Sequence, residues 1–467
     1  MKGRRVLNGK WLMSLLVCVS LLGFQQCAID RQNSSRYLEL LEFTDGIKVI
    51  NTHEHQHRPE EYGIDTLDFY HLLNGAYLMA DLVSSGAERW DMEGLSTLDP
   101  GREWEIFGEA LDHSRSTSYY GHFIMGFQKL YAFQDLSFTE SNITSLSAQI
   151  EQNYSDYPAW FDKAFHEAGF ELIFLDQYWN PFNSLIDTSH YALVFHINQL
   201  VMQASRRPAH GENPQSIYKE ASAEGYAMAD LDDYLDYCDH LFETNVAHKA
   251  VCVKNSLAYS RKLQYDEVSY ETARSLFDLP SSSLSEDESA SLQNYLFHWI
   301  IEKSAEYKLP IQIHTGYLAG NSNYLENSNP LDLNNLFVKY PEAKFVLFHG
   351  GYPWTSEFIA MGKMFSNVYL DLVWLPQISR EKAVLALDEM LDCVPYNKIF
   401  WGGDCSFIEE STGSLEYAKS VVAETLAKRI ERGLLSREVA HEIIQGIFRE
   451  NAIETFQLEA ILGRTFE

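Results

Sequence analysis

Eight short apolar runs, most of them followed by a stretch of helical periodicity, constrain this 467-residue chain more than any other feature. They fall at 47–51, 170–175, 191–195, 249–253, 311–314, 344–349, 368–372 and 398–401. Strands that alternate with amphipathic helices form βα units, and the returning helix makes successive strands pair in parallel. Eight units in one chain of this size predict an α/β fold of the (β/α)8 TIM-barrel class, not an open doubly wound sheet. With 46% hydrophobic and 13% aromatic residues there is ample material for a large core, which excludes a disordered chain.

The barrel is expected over 46–460, with one large departure from a minimal barrel. Residues 58–165, between the first and second strands, form a long helical insertion rich in aromatics, among them Trp90, Trp104, Tyr119, Tyr120, Phe123, Tyr131 and Trp160. An insertion after strand 1 emerges at the end of a barrel where active sites lie, so it reads as a lid or substrate wall. A satellite helical bundle packed on itself is the other reading. The polar run 278–288 reads as a loop that caps the helix after it.

Residues 1–26 read as an export signal. Lys2, Arg4, Arg5 and Lys10 stand there without an acid, and the apolar run at 11–24 is too short for a comfortable membrane span. Cys27 follows it in the manner of a bacterial lipoprotein site, where the thiol is lipidated, but Phe24 and Gln26 stand where such sites carry small residues. Ordinary cleavage and an uncleaved anchor therefore stay open beside lipidation. The expected location is exported, periplasmic or lipid-anchored to a bacterial membrane, with membrane contact only through the N-terminus. A formal net charge of −30 repels phosphate backbones, so the expected partner is a small-molecule substrate and not nucleic acid. The six cysteines show no CxxC pair, and Cys238, Cys252, Cys393 and Cys405 read mostly as buried thiols. Oligomeric state is open.

The strand ends carry the chemistry. His53 and His55 close strand 1, and alternation along a strand points both to one side. Predicted strand 5 ends in His314, strand 6 in His349 and strand 8 runs into Asp404. Closed into a barrel, these ends converge on one mouth, placing four histidines and an aspartate around a centre of the size a divalent metal needs. Lys254 ends strand 4. Burial among cations makes its amine lose a proton readily, and the free amine reacts with carbon dioxide to a carbamate that bridges two metals. An ion pair with Asp404 or Glu54, or a hydrogen bond to substrate, are the other readings of Lys254. Cys405 reads as a small buried thiol and not a nucleophile. His57, His113, His122 and His196 receive no role, although one of them could reach the pocket from the insertion or from strand 3.

The order HxH on strand 1, Lys on strand 4, His on strands 5 and 6 and Asp on strand 8 resembles the amidohydrolase superfamily. Gln-Ile-His-Thr-Gly at 312–316, Asn-Pro-Leu at 329–331, His-Gly-Gly-Tyr-Pro at 349–353, Asn-Val-Tyr-Leu-Asp at 367–371 and Gly-Gly-Asp at 402–404 look like its amidohydrolase-related branch. That branch includes the amidohydrolase-like half of a fungal and plant fusion with a glutamine-synthetase-like domain, whose strand 4 loop the segment 254–261 resembles. Asn51 departs from the pattern, standing where many members carry an acid.

The resemblance and the residues together imply a metal-dependent hydrolase that cleaves an amide, ester or lactone bond of a small molecule with activated water. His53, His55 and Asp404 are expected to hold a divalent metal, zinc on this donor mix, with His314 as a further ligand. Asp404 doubles as general base. His349 either polarises the substrate carbonyl or, with a carbamylated Lys254, helps bind a second metal, so one or two metals per chain are open. Arg261 and Tyr259 are candidate substrate contacts, with an ordinary surface-loop pair as the alternative. A metal-dependent decarboxylase is the competing reaction class, and a non-catalytic binding protein the third.

Overall fold

The computed structural model describes residues 35–62, 66–90, 92–98, 101–205 and 216–466. The predicted export signal and Cys27 lie outside these described residues. Eight strands appear in the expected order: β1 (Val49–Glu54), β2 (Phe170–Leu175), β3 (Tyr191–His196), β4 (Cys252–Asn255), β5 (Ile311–Ile313), β6 (Phe345–Leu347), β7 (Val368–Asp371) and β8 (Ile399–Phe400). Each pairs in parallel with the next, in unbroken sequence order. Backbone hydrogen bonds from Thr52 N to Trp401 O (3.3 Å) and from Asp404 N to His53 O (2.8 Å) carry the sheet round to β1. The fold is an α/β TIM barrel.

Apart from β2, strand boundaries shift from the expectation by one to three residues, most of all in β1 and β4. β1 continues three residues past 51, so His53 lies inside the strand and not beyond it. β4 starts three residues after 249, because Lys249 adopts a left-handed φ of 65° that no strand accommodates. Ser285 caps the helix Glu286–Glu306 with a reciprocal Glu288 contact, as the polar loop before it suggested. Of the cysteines described, Cys238, Cys252 and Cys405 are buried and Cys393 half-buried, all as free thiols. Among the described residues no helix is long and apolar enough to cross a membrane.

The insertion contains α1 (Phe69–Gly75), α2 (Leu78–Ser84), α3 (Arg102–Ser114), α4 (Ser118–Leu130), α5 (Glu140–Tyr154) and α6 (Tyr157–Ala168). Phe69, Phe123, Phe127 and Phe138 give it an aromatic core of its own. It is also fastened to the barrel helix α7 (Ile408–Glu431). Where α4 crosses α7 a side chain at Gly126 would overlap the Glu409 carbonyl, and one at Gly413 the His122 carbonyl, so the two backbones touch. The buried Glu409 carboxylate accepts from Tyr131 Oη (2.6 Å), Tyr154 Oη (2.8 Å) and Trp160 Nε1 (3.1 Å), which come from three successive parts of the insertion. Glu410 accepts from the Tyr77 backbone N–H (2.8 Å) and faces His122 Nε2 (3.3 Å). Burial raises the Glu409 pKa, and the three donors oppose that rise.

These contacts make the insertion a fixed wall of the barrel mouth. Gly413→Ala is expected to destabilise the protein by about 1–3 kcal/mol through overpacking of the helix crossing. Tyr131→Phe is expected to cost about 1 kcal/mol through a lost hydrogen bond to a buried carboxylate. Urea unfolding midpoints at constant slope measure both.

Candidate active site

At the ends of β6, β7 and β8 the chain turns through three residues that are not glycine yet have left-handed φ: His349 (64°), Trp374 (61°) and Asp404 (64°). Such conformations are costly for branched side chains and persist where surrounding structure enforces them, commonly at functional sites. Here the turns aim the side chains of successive strands at the barrel axis.

Asp404 Oδ1 lies 3.1 Å from His53 Nε2 and 3.3 Å from His55 Nε2. These three donor atoms all fall within 4.8 Å of one another. His55 Nδ1 faces the Asp176 carbonyl at 2.9 Å, which accepts only from a protonated nitrogen. In the neutral ring Nε2 therefore presents a lone pair to a carboxylate. Asp176 Oδ2 is buried without a hydrogen-bond partner among the described residues, 3.8 Å from both His53 Nε2 and His55 Nδ1. Converging lone pairs and an unpartnered carboxylate oxygen fit a divalent cation, and two imidazoles with a carboxylate are a donor set zinc accepts.

A second convergence lies beside the first. His349 Nδ1 faces the Val373 carbonyl (3.2 Å) and His314 Nε2 the Tyr317 carbonyl (2.8 Å), so the nitrogens left over, His349 Nε2 and His314 Nδ1, meet at 2.9 Å. Burial pushes His349 down to about 4 and holds His314 well below the usual histidine range, so both rings are neutral near pH 7 and lone pair faces lone pair. Lys254 stands between the two groups with Nζ 3.0 Å from His53 Nε2, and burial lowers its pKa. His53 is pushed down to about 3, first by burial and then by Lys254. Burial opposes ionisation of Asp404, yet the contacts from His53 and His55 hold its carboxyl well below the usual carboxylate range. Glu54 does not pair with Lys254; its carboxylate accepts from Asn51 Nδ2 and Cys405 N.

A cavity of about 540 Å³ opens over these groups, lined by His55, Lys254, His314 and Asp404 and walled by Tyr77, Arg89, Tyr178, Gln199 and Tyr259. Tyr77 and Arg89 come from the insertion, and Tyr77 Oη donates to Asp404 Oδ2 at 2.7 Å. Tyr259 packs its ring 4.8 Å from that of His314 and accepts from Ala319 N. Arg261 is not at the cavity. Its guanidinium donates to Gln293 Oε1 (3.0 Å), Asn294 Oδ1 (2.6 Å) and the Gln264 carbonyl (2.7 Å) and stacks on Tyr265, so the structure gives it a packing role in place of the substrate clamp expected. Cys405 is fully buried, and burial pushes its thiol well above the ordinary range, which disqualifies it as a nucleophile.

Two residues of the site were not assigned from sequence. Asp176 follows β2 and His196 ends β3; Asp176 Oδ1 meets His196 Nδ1 at 2.8 Å, and both line the cavity. The signal was present, since each directly follows an apolar run, as His314 and His349 do. The crossover 176–190 between β2 and β3 contains no helix, which hid that frame for Asp176.

Residues 282–458, from the helix before β5 to the end of the barrel, match the family described as Amidohydrolase. Over this part of its length the chain is similar to the amidohydrolase superfamily. It is 41% identical over 103 residues to Protein fluG of Emericella nidulans, a match that spans 22% of this chain and only 12% of that relative. In fold it is similar to the uronate isomerase of Thermotoga maritima (TM-score 0.75, 14% identity, 90% of this chain and 97% of that one). The glucuronate isomerase of Caulobacter crescentus is similar too (TM-score 0.74, 14% identity, 91% and 94%), as is a candidate metal-dependent hydrolase of Lactobacillus casei (TM-score 0.62, 15% identity, 91% and 99%).

Asp176 orients His55 through its carbonyl and His196 through its carboxylate. Groups that orient metal ligands typically change affinity about 10–100-fold when altered. Asp176→Asn keeps that carbonyl but removes the carboxylate charge 3.8 Å from His53 Nε2 and His55 Nδ1, and is accordingly expected to weaken binding of a divalent metal by about that factor, as measured by competition with a chromophoric chelator, while circular dichroism stays unchanged.

Proposed function

We propose that this protein is a metal-dependent hydrolase that cleaves an amide, ester or lactone bond of a small molecule in an exported location. The observation that carries the reading is Asp404: an ionised carboxylate at the floor of the cavity, with one oxygen at the two imidazoles and the other held by Tyr77. When bound at His53, His55 and Asp404, a divalent metal, zinc on this donor set, supplies water acidified to a pKa of about 7 and polarises the substrate carbonyl.

The residues themselves do the rest. Asp404 accepts the proton of the attacking water and returns it to the leaving nitrogen or oxygen. Tyr77, a donor whose own ionisation is suppressed by burial and by Asp404, keeps that carboxylate aimed. His349 serves better as a ligand than as a hydrogen-bond donor to substrate, because Val373 takes its Nδ1 proton and leaves Nε2 an acceptor. With His314 and a carbamylated Lys254 it would hold a second metal; carbamylation joins the Lys254 amine to carbon dioxide with release of one proton. The cavity walls from the insertion, Tyr77 and Arg89 above all, set what fits. The apolar run and basic residues within 1–26 support export, and Cys27 a lipid anchor.

Metal at the barrel mouth, measured by mass spectrometry as the count per chain lost in a His53→Ala, His55→Ala and His314→Ala triple variant, on protein secreted with bicarbonate present and purified without chelators, is expected to be two and to fall in Lys254→Ala. Asp404→Asn is expected to lower turnover of amides or lactones by about 10²–10⁴-fold with the fold unchanged by circular dichroism. Release of carbon dioxide without hydrolysis product would assign a decarboxylase instead. Interconversion of a uronate would assign an isomerase, and full function in Asp404→Asn would leave only binding.

A further inference from the structure

We infer that Asp162, His166 and His190 form a separate metal site that clips the β2–β3 crossover to the insertion helix α6. The crossover is unusual for a βα barrel, because its residues 176–190 contain no helix to pack against the sheet. It therefore needs another attachment before it enters β3 at Tyr191. That attachment is His190. Its ring is wedged beside Phe161 and Phe165 of α6, with centroids 5.4 and 4.7 Å away, and its side chain is only 15% exposed.

The ring's orientation is fixed from behind. His190 Nδ1 meets Asp187 Oδ2 at 3.2 Å and Ser189 Oγ at 3.0 Å, both on the crossover itself. Donation from Nδ1 to the Asp187 carboxylate leaves Nε2 as a lone pair, and this nitrogen faces Asp162 Oδ1 at 3.1 Å. His166, one helical turn beyond Asp162 on α6, brings its Nε2 to 3.5 Å from the same oxygen. The donor atoms of Asp162, His166 and His190 all lie within 4.8 Å of one another, matching the two-imidazole, one-carboxylate set at the barrel mouth. A carboxylate behind the ligating ring is the arrangement that raises imidazole basicity and fixes its tautomer in metal sites.

With its Nδ1 proton given to Asp187, His190 offers only a lone pair to the Asp162 carboxylate, so a cation is what this pair lacks. Zinc, with its tolerance for nitrogen and oxygen donors and its four-coordinate preference, fits, with water in the remaining position. The site lies at the N-terminal end of β3, the end of the barrel opposite the mouth, where stability and not catalysis is the expected role. Asp162 and His166 are exposed, so an ion enters without local unfolding.

The test uses zinc chloride on the full exported protein and its His166→Gln variant, which removes one exposed donor and leaves the His190 wedge in place. Zinc per chain is measured by mass spectrometry after gel filtration in metal-free buffer, and thermal midpoints are recorded for stripped and zinc-loaded protein. The variant is expected to hold one zinc fewer than the parent and to show a smaller zinc-dependent rise in midpoint, with the stripped proteins melting together. The same difference is expected in a His55→Ala background, which separates this site from the barrel mouth, and Asp162→Asn should reproduce it. Equal zinc counts in parent and variant, or a count difference that vanishes in the His55→Ala background, would overturn the proposal.

Discussion

The close approach of the Gly402–Gly403 backbone to β1 is the constraint on which the site depends. A side chain at Gly402 would come within 2.8 Å of Thr52 Oγ1 and 2.9 Å of His53 N, and one at Gly403 would overlap the Glu54 carboxylate. Only a backbone without Cβ lets the last strand lie this near the first. Asn51 reinforces the seam: its Oδ1 accepts from Gly403 N at 3.0 Å and from His53 N at 3.2 Å, and its Nδ2 donates to Glu54. An acid at this position has no amide proton to give Glu54, so Asn51 suits the neighbour this chain has. The seam delivers Asp404 onto His53 and His55, because Asp404 N is already bound to the His53 carbonyl.

The insertion completes what the seam begins. Glu409 and Glu410, adjacent on α7, hold parts of the insertion that are far apart in sequence, from Tyr77 to Trp160. Buried carboxylates with several donors are expensive to leave unpaired, so each contact enforces the others. The same two acids thereby place Tyr77, whose backbone Glu410 holds and whose hydroxyl reaches Asp404. Tyr77 also packs on Trp374, with centroids 4.4 Å apart, at one of the strained strand ends. The wall that selects the substrate and the carboxylate proposed to act on it are thus parts of one packed unit.

Much of this was legible before folding. A run such as Ile311–Ile313 followed by His314 announces a strand that ends in a ligand-capable side chain, since burial inside a barrel demands apolar side chains until the mouth is reached. Asp176 obeys the same rule and escaped it, because the rule leans on the helix that normally follows a strand and 176–190 has none; His196 escaped although the helix 198–205 follows β3. Arg261 failed for another reason. Its place on the loop after β4 was readable, but the short 3₁₀ turn Leu257–Tyr259 sends its side chain outward to Gln293 and Asn294 while Tyr259 stays at the cavity. Spacing along a loop gives position, not direction.

The sequence by itself determined the parallel eight-stranded barrel and the strand-end places of His53, His55, Lys254, His314, His349 and Asp404, because apolar periodicity and strand-end position are local properties of the chain. Only the tertiary structure decided which nitrogen of each ring is free, that Asp176 and His196 join the site, and that the insertion is fixed to α7 and supplies Tyr77. Those outcomes depend on hydrogen bonds set by how the chain turns back on itself, with partners from three residues away, as Tyr317 is to His314, to hundreds, as Asp404 is to Tyr77, and hydrogen bonds of that kind have no signature in local sequence.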